Sequence, residues 1–509
     1  MLLHQLFESS VQRTPGKVAL VVDGRRHTYA EVDAQATQLA AVLQQRGVQR
    51  GDRVATFLDN SVEAVVSLYA ALKCGAVIMP INPLTKKDKL AYMLNDARAS
   101  ALIAHAPLQS EFEGALAQNQ SVHTCFVVSG EDGQTCPDAR CLPYPADAGG
   151  ATFTAPPTID QDLAGLIYTS GSTGDPKGVM LTHLNMVSAA RSISTYLALQ
   201  DDDIIICVLP LAFDYGLYQV LMGFLKGATV VLERSFSFPV KVLETMAKEK
   251  VTVFPGVPTV FSLLMNLKTL RDHALPDLRK ITNTAAALSE EHIRQLRSIF
   301  PQTQLYSMYG LTECKRVTYL PPDQLDIRPT SVGRGMPNEE VWLVDEAGKR
   351  LPNGGTGELV IRGSNVMRGY WEKPAQTAER LKPGPIPGEM ILHSGDIFRT
   401  DEDGWLYFVA RKDDIIKSRG EKVSPREVEN VLYGMPGILE AAVVGVPDPV
   451  LGEAVKAFVT LKAGVTLTER EVIKYCQSKL ESFMAPKYVA FVAELPKTDT
   501  GKIKKTGLA

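Results

Sequence analysis

Eleven consecutive residues, "YTSGSTGDPKG" at 168–178, hold three glycines, a proline, a lysine and four serine or threonine hydroxyls. Gly171, Gly174 and Gly178 allow close backbone approach, Thr169, Ser170, Ser172 and Thr173 can donate hydrogen bonds, and Lys177 brings charge. The loop lies between "LAGLIY", read as a strand, and "VMLTHLNMVSAARSIS", read as a helix with Thr182 or His183 near its start. That arrangement can surround an anion with backbone N–H groups, and phosphate is the expected ligand. The same composition also suits a flexible turn. Two specific templates are excluded. A Walker sequence needs Ser or Thr after Gly-Lys, whereas Lys177 precedes Gly178; a nucleophile elbow needs glycine where Ser170 stands.

Four further stretches carry groups able to do chemistry: "MYGLTE" at 308–313, "HSGD" at 393–396, "ARKDDIIKSRGEKVSPREVE" at 410–429 and "PKTDTGKIKK" at 496–505. Each has an ordinary reading when taken alone. Tyr309 and Glu313 pass for a core aromatic and a surface acid, Asp396 beside Gly395 for a turn aspartate, and the basic tail around Lys502 for a solvated end.

The elements that must position these groups follow from periodicity. Apolar residues in "YAEVDAQATQLAAVLQQRG" recur at helical spacing up to Gly47, and the short apolar run "RVATFL" follows as a buried strand. The same order returns in "SVEAVVSLYAALKCG" and "AVIMPIN", in "LMGFLKG" and "ATVVLE", and in "VLETMAKEK" and "VTVFPGV". The expected class is α/β: a large N-terminal domain of several subdomains with mostly parallel sheets. Beyond about residue 330 the texture changes to hairpins such as "VWLVDEAGKRLPNGGTGELVIRG", a β-rich subdomain. The last hundred or so residues predict a small α+β C-terminal domain, with the expected boundary at 1–411 and 412–509. Residues 129–157, rich in Gly, Asp, Pro and Ala, read as a surface excursion without function.

Composition narrows the partners. Fifty-four basic and 57 acidic residues are interspersed and sum to a formal charge of −3, which leaves no electrostatic footprint for nucleic acid or an anionic membrane. No apolar run reaches the length of a spanning helix, and the start lacks the pattern of a signal peptide. Seven cysteines without CxxC spacing suit a reducing cytoplasm.

The five motifs, in this order, resemble those of the adenylate-forming superfamily, which includes acyl-CoA synthetases, the adenylation domains of peptide synthetases and firefly luciferase. The resemblance covers essentially the whole chain. It implies an ATP-dependent acid–thiol ligase, in which a carboxylate attacks the α-phosphorus of ATP to give an acyl-adenylate and pyrophosphate, and a thiol then displaces AMP. An anionic nucleophile must approach an anionic polyphosphate, so Mg2+, a lysine and preorganised donors are needed. Carried over residue by residue, Thr169, Ser170, Ser172, Thr173 and Lys177 cover the β- and γ-phosphates. Tyr309 flanks the adenine, Thr312 binds the α-phosphate and Glu313 ligates magnesium. Asp396 and Arg411 hold the ribose hydroxyls, Lys502 bridges the attacking carboxylate and the α-phosphate, and Asp413 is the hinge about which the small, mobile C-terminal domain rotates between half-reactions. One position departs from the pattern: two residues after Gly420 stands Lys422 where arginine is common, which keeps the charge and loses the planar fork.

The acid itself is expected in a pocket built from 209–221, 254–260 and 282–288 and the residues around Tyr309, with Phe213, Asp214, Gly216, Ala285 and Ala286 as lining. Asp214 admits three readings: pairing with a substrate amino group, capping the helix that follows, or pairing with Lys315 or Arg316. The acceptor is expected to be CoA, with the phosphopantetheine of a separate acyl carrier protein as the alternative in an amino-acid or aryl-acid adenylating enzyme. A nucleotide-sensing scaffold would have lost part of the charged set, yet Lys177, Glu313, Asp396, Arg411 and Lys502 are all present. A luciferase-like oxygenase would share the motifs.

Overall fold

The computed structural model describes the chain apart from residues 129–135, 146, 148, 170–175, 271–272, 287, 419–420, 449–450, 499–502, 506 and 509, with backbone alone at 413, 417, 422 and 452. Ser170, Ser172, Thr173 and Lys502 therefore lie outside the described residues.

Two largely parallel sheets form the body. In the nine-stranded sheet, Gln304–Tyr309, Lys280–Asn283, Val253–Gly256, Ile204–Cys207, Thr229–Leu232 and Val18–Val22 run parallel in that spatial order, with antiparallel strands at both edges. In the eight-stranded sheet, Leu163–Thr169 is followed by parallel neighbours Val77–Pro80, Arg53–Phe57, Ala101–His105, Thr124–Val128 and Cys141–Pro143. Parallel strands need covered faces, and the sequence supplies the cover. Helix Val62–Lys73, capped by Ser61, is apolar on every side and buried from Ala64 onward. At its end Lys73 meets Glu8 at 2.6 Å and Asp33 at 3.0 Å, so the charge is paired where it is buried.

The opening helix Leu3–Arg13 is fixed by Phe7, whose ring lies 4.5 Å from Tyr69 and 5.0 Å from Phe224. Tyr29, in the same cluster, satisfies its hydroxyl on the Ala228 carbonyl at 2.7 Å, as a buried phenol must.

Residues 339–411 fold as an antiparallel sheet of five strands, the expected β-rich subdomain. Beyond it, residues 416–508 pack two apolar cores of their own, one around Val428, Leu432, Val443 and Val472 and a smaller one around Phe458 and Leu495. A five-stranded sheet runs through this part, with helices Pro425–Tyr433 and Glu469–Gln477 beside it.

Three expectations need correction. Of the run 179–194 read as helix, the first residues are strand, Lys177–Thr182 lying antiparallel to Leu163–Thr169, while the helix His183–Tyr196 starts where expected, capped by Thr182. The run "KGVMLT" is short and mostly buried, Gly178, Val179, Leu181 and Thr182 all lying inside, so it carries no alternation that would have marked it as a strand. The excursion at 129–157 is partly structural, since Cys141–Pro143 extends the eight-stranded sheet, and Tyr144 and Phe153 pack on the main core. Nor are the cysteines all thiols. Cys136 and Cys141 form a disulfide, while Cys74, Cys125, Cys207, Cys314 and Cys476 are free and buried.

Candidate active site

Leu163–Thr169 and Lys177–Thr182 pair antiparallel, so the described residues at the two ends of the glycine segment are set by cross-strand register, with Thr169 opposite Lys177. Three contacts brace these ends. Tyr92 donates its hydroxyl to the Pro176 carbonyl at 3.2 Å, Tyr168 donates to Asp96 at 2.6 Å, and the Trp371 amide donates to the Gly178 carbonyl at 2.8 Å. Burial, with Asp96 beside it, pushes the Tyr168 phenol up and keeps it a donor.

The strand Gly369–Tyr370 lies antiparallel to Lys177–Thr182 and carries a residue that the motifs do not mark. The buried Tyr370 donates to Glu313 Oε1 at 2.7 Å, and its ring centroid lies 5.4 Å from Lys177 Nζ. The Met367 amide reaches the Glu313 carbonyl at 2.7 Å. Lys177, from the glycine loop, and Glu313, from the end of Gln304–Tyr309, thus meet through one tyrosine. Thr312 sits half-buried beside Glu313.

A second node is built on the β-rich sheet. Asp396 and Arg411 face each other in register across an antiparallel pair, and the Tyr309 hydroxyl donates to Asp396 Oδ2 at 2.5 Å. Tyr309 also packs edge-on against Phe398 with ring centroids 4.8 Å apart. Burial raises the Asp396 carboxyl above its ordinary range against the pull of Tyr309, Arg411 and Arg380. Gly395, at φ +71, lets the chain turn beneath it, and its amide donates to Glu358 Oε1 at 3.0 Å. Glu358 lies 3.8 Å from His393 and 3.3 Å from Lys412. Although burial raises it, His393, the Gly395 amide and Lys412 hold it down at about 2.

Asp413 belongs to a single turn, Lys412–Asp414, between strands Leu406–Arg411 and Ile416–Ser418. The backbone of Lys422 lies in Glu421–Val423, paired with Lys417.

At the carboxyl ends of the parallel strands, the place where open α/β sheets bind ligands, the predicted acyl segments converge. Asp214 opens the helix Asp214–Lys226, for which Phe213 is the cap residue and no side chain makes a capping bond. Instead its Oδ2 lies 4.0 Å from Lys315 Nζ, so the pairing with lysine is formed and the capping bond is not. Arg316 stacks its guanidinium over Tyr215 at 4.7 Å. Gly216 faces inward: a side chain there would sit 2.3 Å from the Pro210 carbonyl oxygen, which makes it a packing position. Ala285 is half-buried at φ +74, Ala286 is exposed, and Lys315 is held at φ +71. A non-glycine residue in the left-handed region costs on the order of 1–3 kcal/mol, and such positions cluster at functional sites.

The parts missed in the sequence are Tyr370, Glu358, Arg380 and Tyr92. Nothing in local spacing marks them, since each acts through a partner at least 14 residues away.

Among the described residues no group of three or more His, Cys, Asp or Glu is placed to hold a metal ion. A magnesium that arrives with a nucleotide needs only one or two protein carboxylates, because phosphate and water supply the rest. Glu313, oriented by Tyr370, fits that requirement.

Parallel sheets with a ligand edge, an antiparallel strand pair with Thr169 opposite Lys177, an acid beside that lysine and an Asp–Arg pair on an adjoining sheet define a nucleotide-using, adenylate-forming class of enzyme. Residues 7–371 match the AMP-binding enzyme family and residues 427–502 its C-terminal domain, and the chain belongs to that family. It is 35% identical to a feruloyl-CoA synthase of Amycolatopsis, over 97% of this chain and 95% of that one. It is 32% identical to a long-chain-fatty-acid–CoA ligase of Bacillus subtilis, over 99% and 94%. The ATP-bound structure of MatB from Rhodopseudomonas palustris superposes with a TM-score of 0.88 at 30% identity, covering 100% of this chain and 98% of that one. No described helix is long and apolar enough to cross a membrane.

Proposed function

We propose that the protein is an AMP-forming acid–thiol ligase that activates a carboxylic acid with ATP and passes the acyl group to CoA. The observation that carries this reading is the meeting of Lys177 and Glu313 at Tyr370, with the Tyr309–Asp396 hydrogen bond beside it.

In the first half-reaction a carboxylate oxygen forms a bond to the α-phosphorus, and the bond to the β-phosphate bridging oxygen breaks to release pyrophosphate. Thr169, Ser170, Ser172, Thr173 and Lys177 hold the β- and γ-phosphates as they gain charge. Thr312 donates to the α-phosphate, Tyr309 flanks the adenine, and Asp396 accepts from the ribose hydroxyls while Arg411 donates to them. Glu313 would hold magnesium, which would supply neutralisation of phosphate charge. Lys502 brings the carboxylate and α-phosphate together. In the second half-reaction the thiolate sulfur attacks the acyl carbon, the carbonyl–oxygen bond to AMP breaks, and the thiol proton leaves to solvent.

We place the domain boundary between Arg411 and Lys412, with Asp413 as the hinge, because separate cores lie on either side of this turn. Both co-substrates belong to the cytoplasm, and the reading carries that location with it. The test is a panel of acids assayed for acid-dependent pyrophosphate release, then repeated with CoA and analysed for thioester. Release that depends on the acid, with thioester formed only when CoA is added, is the expected result. Failure of every acid to split ATP into AMP and pyrophosphate overturns it.

A further inference from the structure

Five buried side-chain atoms without a hydrogen-bond partner come from the loops and strand ends of the candidate acyl site: Asn283 Oδ1, Thr284 Oγ1, Lys315 Nζ, Arg316 Nε and Thr318 Oγ1. They share one edge because Lys280–Asn283 runs parallel to Gln304–Tyr309, and Thr318 pairs with Tyr309 on its other side. Buried polar groups are ordinarily satisfied within a fold, so a concentration of orphans at a ligand edge points to a polar ligand group.

Charge says which kind. Lys315, Arg316 and Asp214 are 3%, 4% and 8% exposed. Lys315 Nζ stands 4.0 Å from Asp214 and 5.7 Å from the Tyr218 ring centroid, close enough for attraction and too far for a hydrogen bond. Arg316 is held by the face of Tyr215. Among the described residues Asp214 is the carboxylate within ion-pair reach of Lys315, with Glu313 acting on it from farther away. The Lys315 side chain is buried, and its backbone lies in the left-handed region. An ammonium-bearing acid would meet Asp214 already engaged and a lysine that repels it. A wholly apolar acid would leave all five atoms unsatisfied.

We infer that the acyl pocket reads a second anionic group on the acid, with Lys315 and Arg316 as its specificity residues and Asp214 as the residue that positions Lys315. The substrate class is then a dicarboxylate or an acid with an equivalent terminal anion. This inference rests on the ligase reading and sharpens its substrate.

The test compares matched sets: a straight-chain monocarboxylate, the dicarboxylate and the ω-amino acid of equal carbon count, from short to medium length, and benzoate beside the benzenedicarboxylates and aminobenzoates. In at least one set the dicarboxylate should exceed both companions in kcat/KM for pyrophosphate release by about tenfold or more, as a site built to hydrogen-bond a group rejects analogues lacking it. Lys315→Met and Arg316→Gln should each lower the dicarboxylate-to-monocarboxylate ratio by about tenfold or more. Preference for the monocarboxylate or the amino acid in every set overturns the inference while leaving the ligase reading intact. A Lys315→Met enzyme with an unchanged ratio does the same. If no acid in any set releases pyrophosphate, the ligase reading itself falls. Should Lys315→Met not fold, the wild-type comparison and Arg316→Gln decide alone.

Discussion

The hydroxyl of Tyr370 donates to Glu313 while the face of the same ring receives Lys177. One side chain thereby fixes the distance between the glycine-loop lysine and the acid proposed to hold magnesium. Burial and the neighbouring carboxylate push the phenol up, so it remains a donor at any physiological pH.

Tyr370→Phe separates these two duties. The ring stays against Lys177 and the hydrogen bond to Glu313 is lost. A hydrogen bond to a charged group contributes about 1.5–3 kcal/mol, so turnover should fall about tenfold or more, with a higher Mg2+ concentration at half-saturation and a smaller change in KM for ATP. A Mg2+ titration of pyrophosphate release checks this. An unshifted titration would mean that Glu313 does not depend on Tyr370.

Gly395→Ala tests the turn beneath Asp396. At φ +71 an alanine is strained, and its Cβ would lie 1.8 Å from Arg380 Nη1, which itself donates to the Ser394 carbonyl at 2.6 Å. A loss of about 1–3 kcal/mol is expected in urea unfolding, together with weaker nucleotide binding by calorimetry as Asp396 shifts.

Glu358 gives a pH-dependent contribution of defined sign. Its carboxyl falls from 4.5 to about 2 in the folded chain, so its stabilisation is complete above pH 4.5 and is lost as the pH drops through about 2. The shift corresponds to at most about 3 kcal/mol. Glu358→Gln should lower stability at neutral pH by part of that amount and flatten the acid limb of the stability curve. Equal slopes for the two proteins between pH 4.5 and 2 would exclude the role.

Lys502→Ala should suppress adenylate formation by orders of magnitude yet spare thioester formation from a supplied acyl-adenylate. Single-turnover assays of the two halves distinguish them. Equal loss in both would count against a lysine that serves only the first step.

The parallel sheets were legible because helical and strand periods alternate cleanly around Gly47, Gly75 and Gly227. The five motifs were legible only together, through their ordered resemblance to the adenylate-forming family, because each alone has an ordinary reading. Residues 179–181 were not, since a short apolar run adjoining a helix has no period of its own until it pairs with Leu163–Thr169. Tyr370 and Glu358 were hidden for another reason. Each acts across a sheet, on Glu313 and on Gly395, and sequence distance conceals such partners. Asp214 shows the limit most clearly, because helix start, substrate amine and Lys315 all suit an aspartate, and only packing shows that the lysine is paired and the cap is not.

The register that sets Asp396 opposite Arg411 places the last residue of that pair immediately before the turn at Lys412. The swing proposed at this turn would carry away everything downstream and leave both proposed ribose ligands standing. The activated intermediate would stay moored by its sugar while its surroundings are exchanged, so the enzyme could change tools without setting down the work.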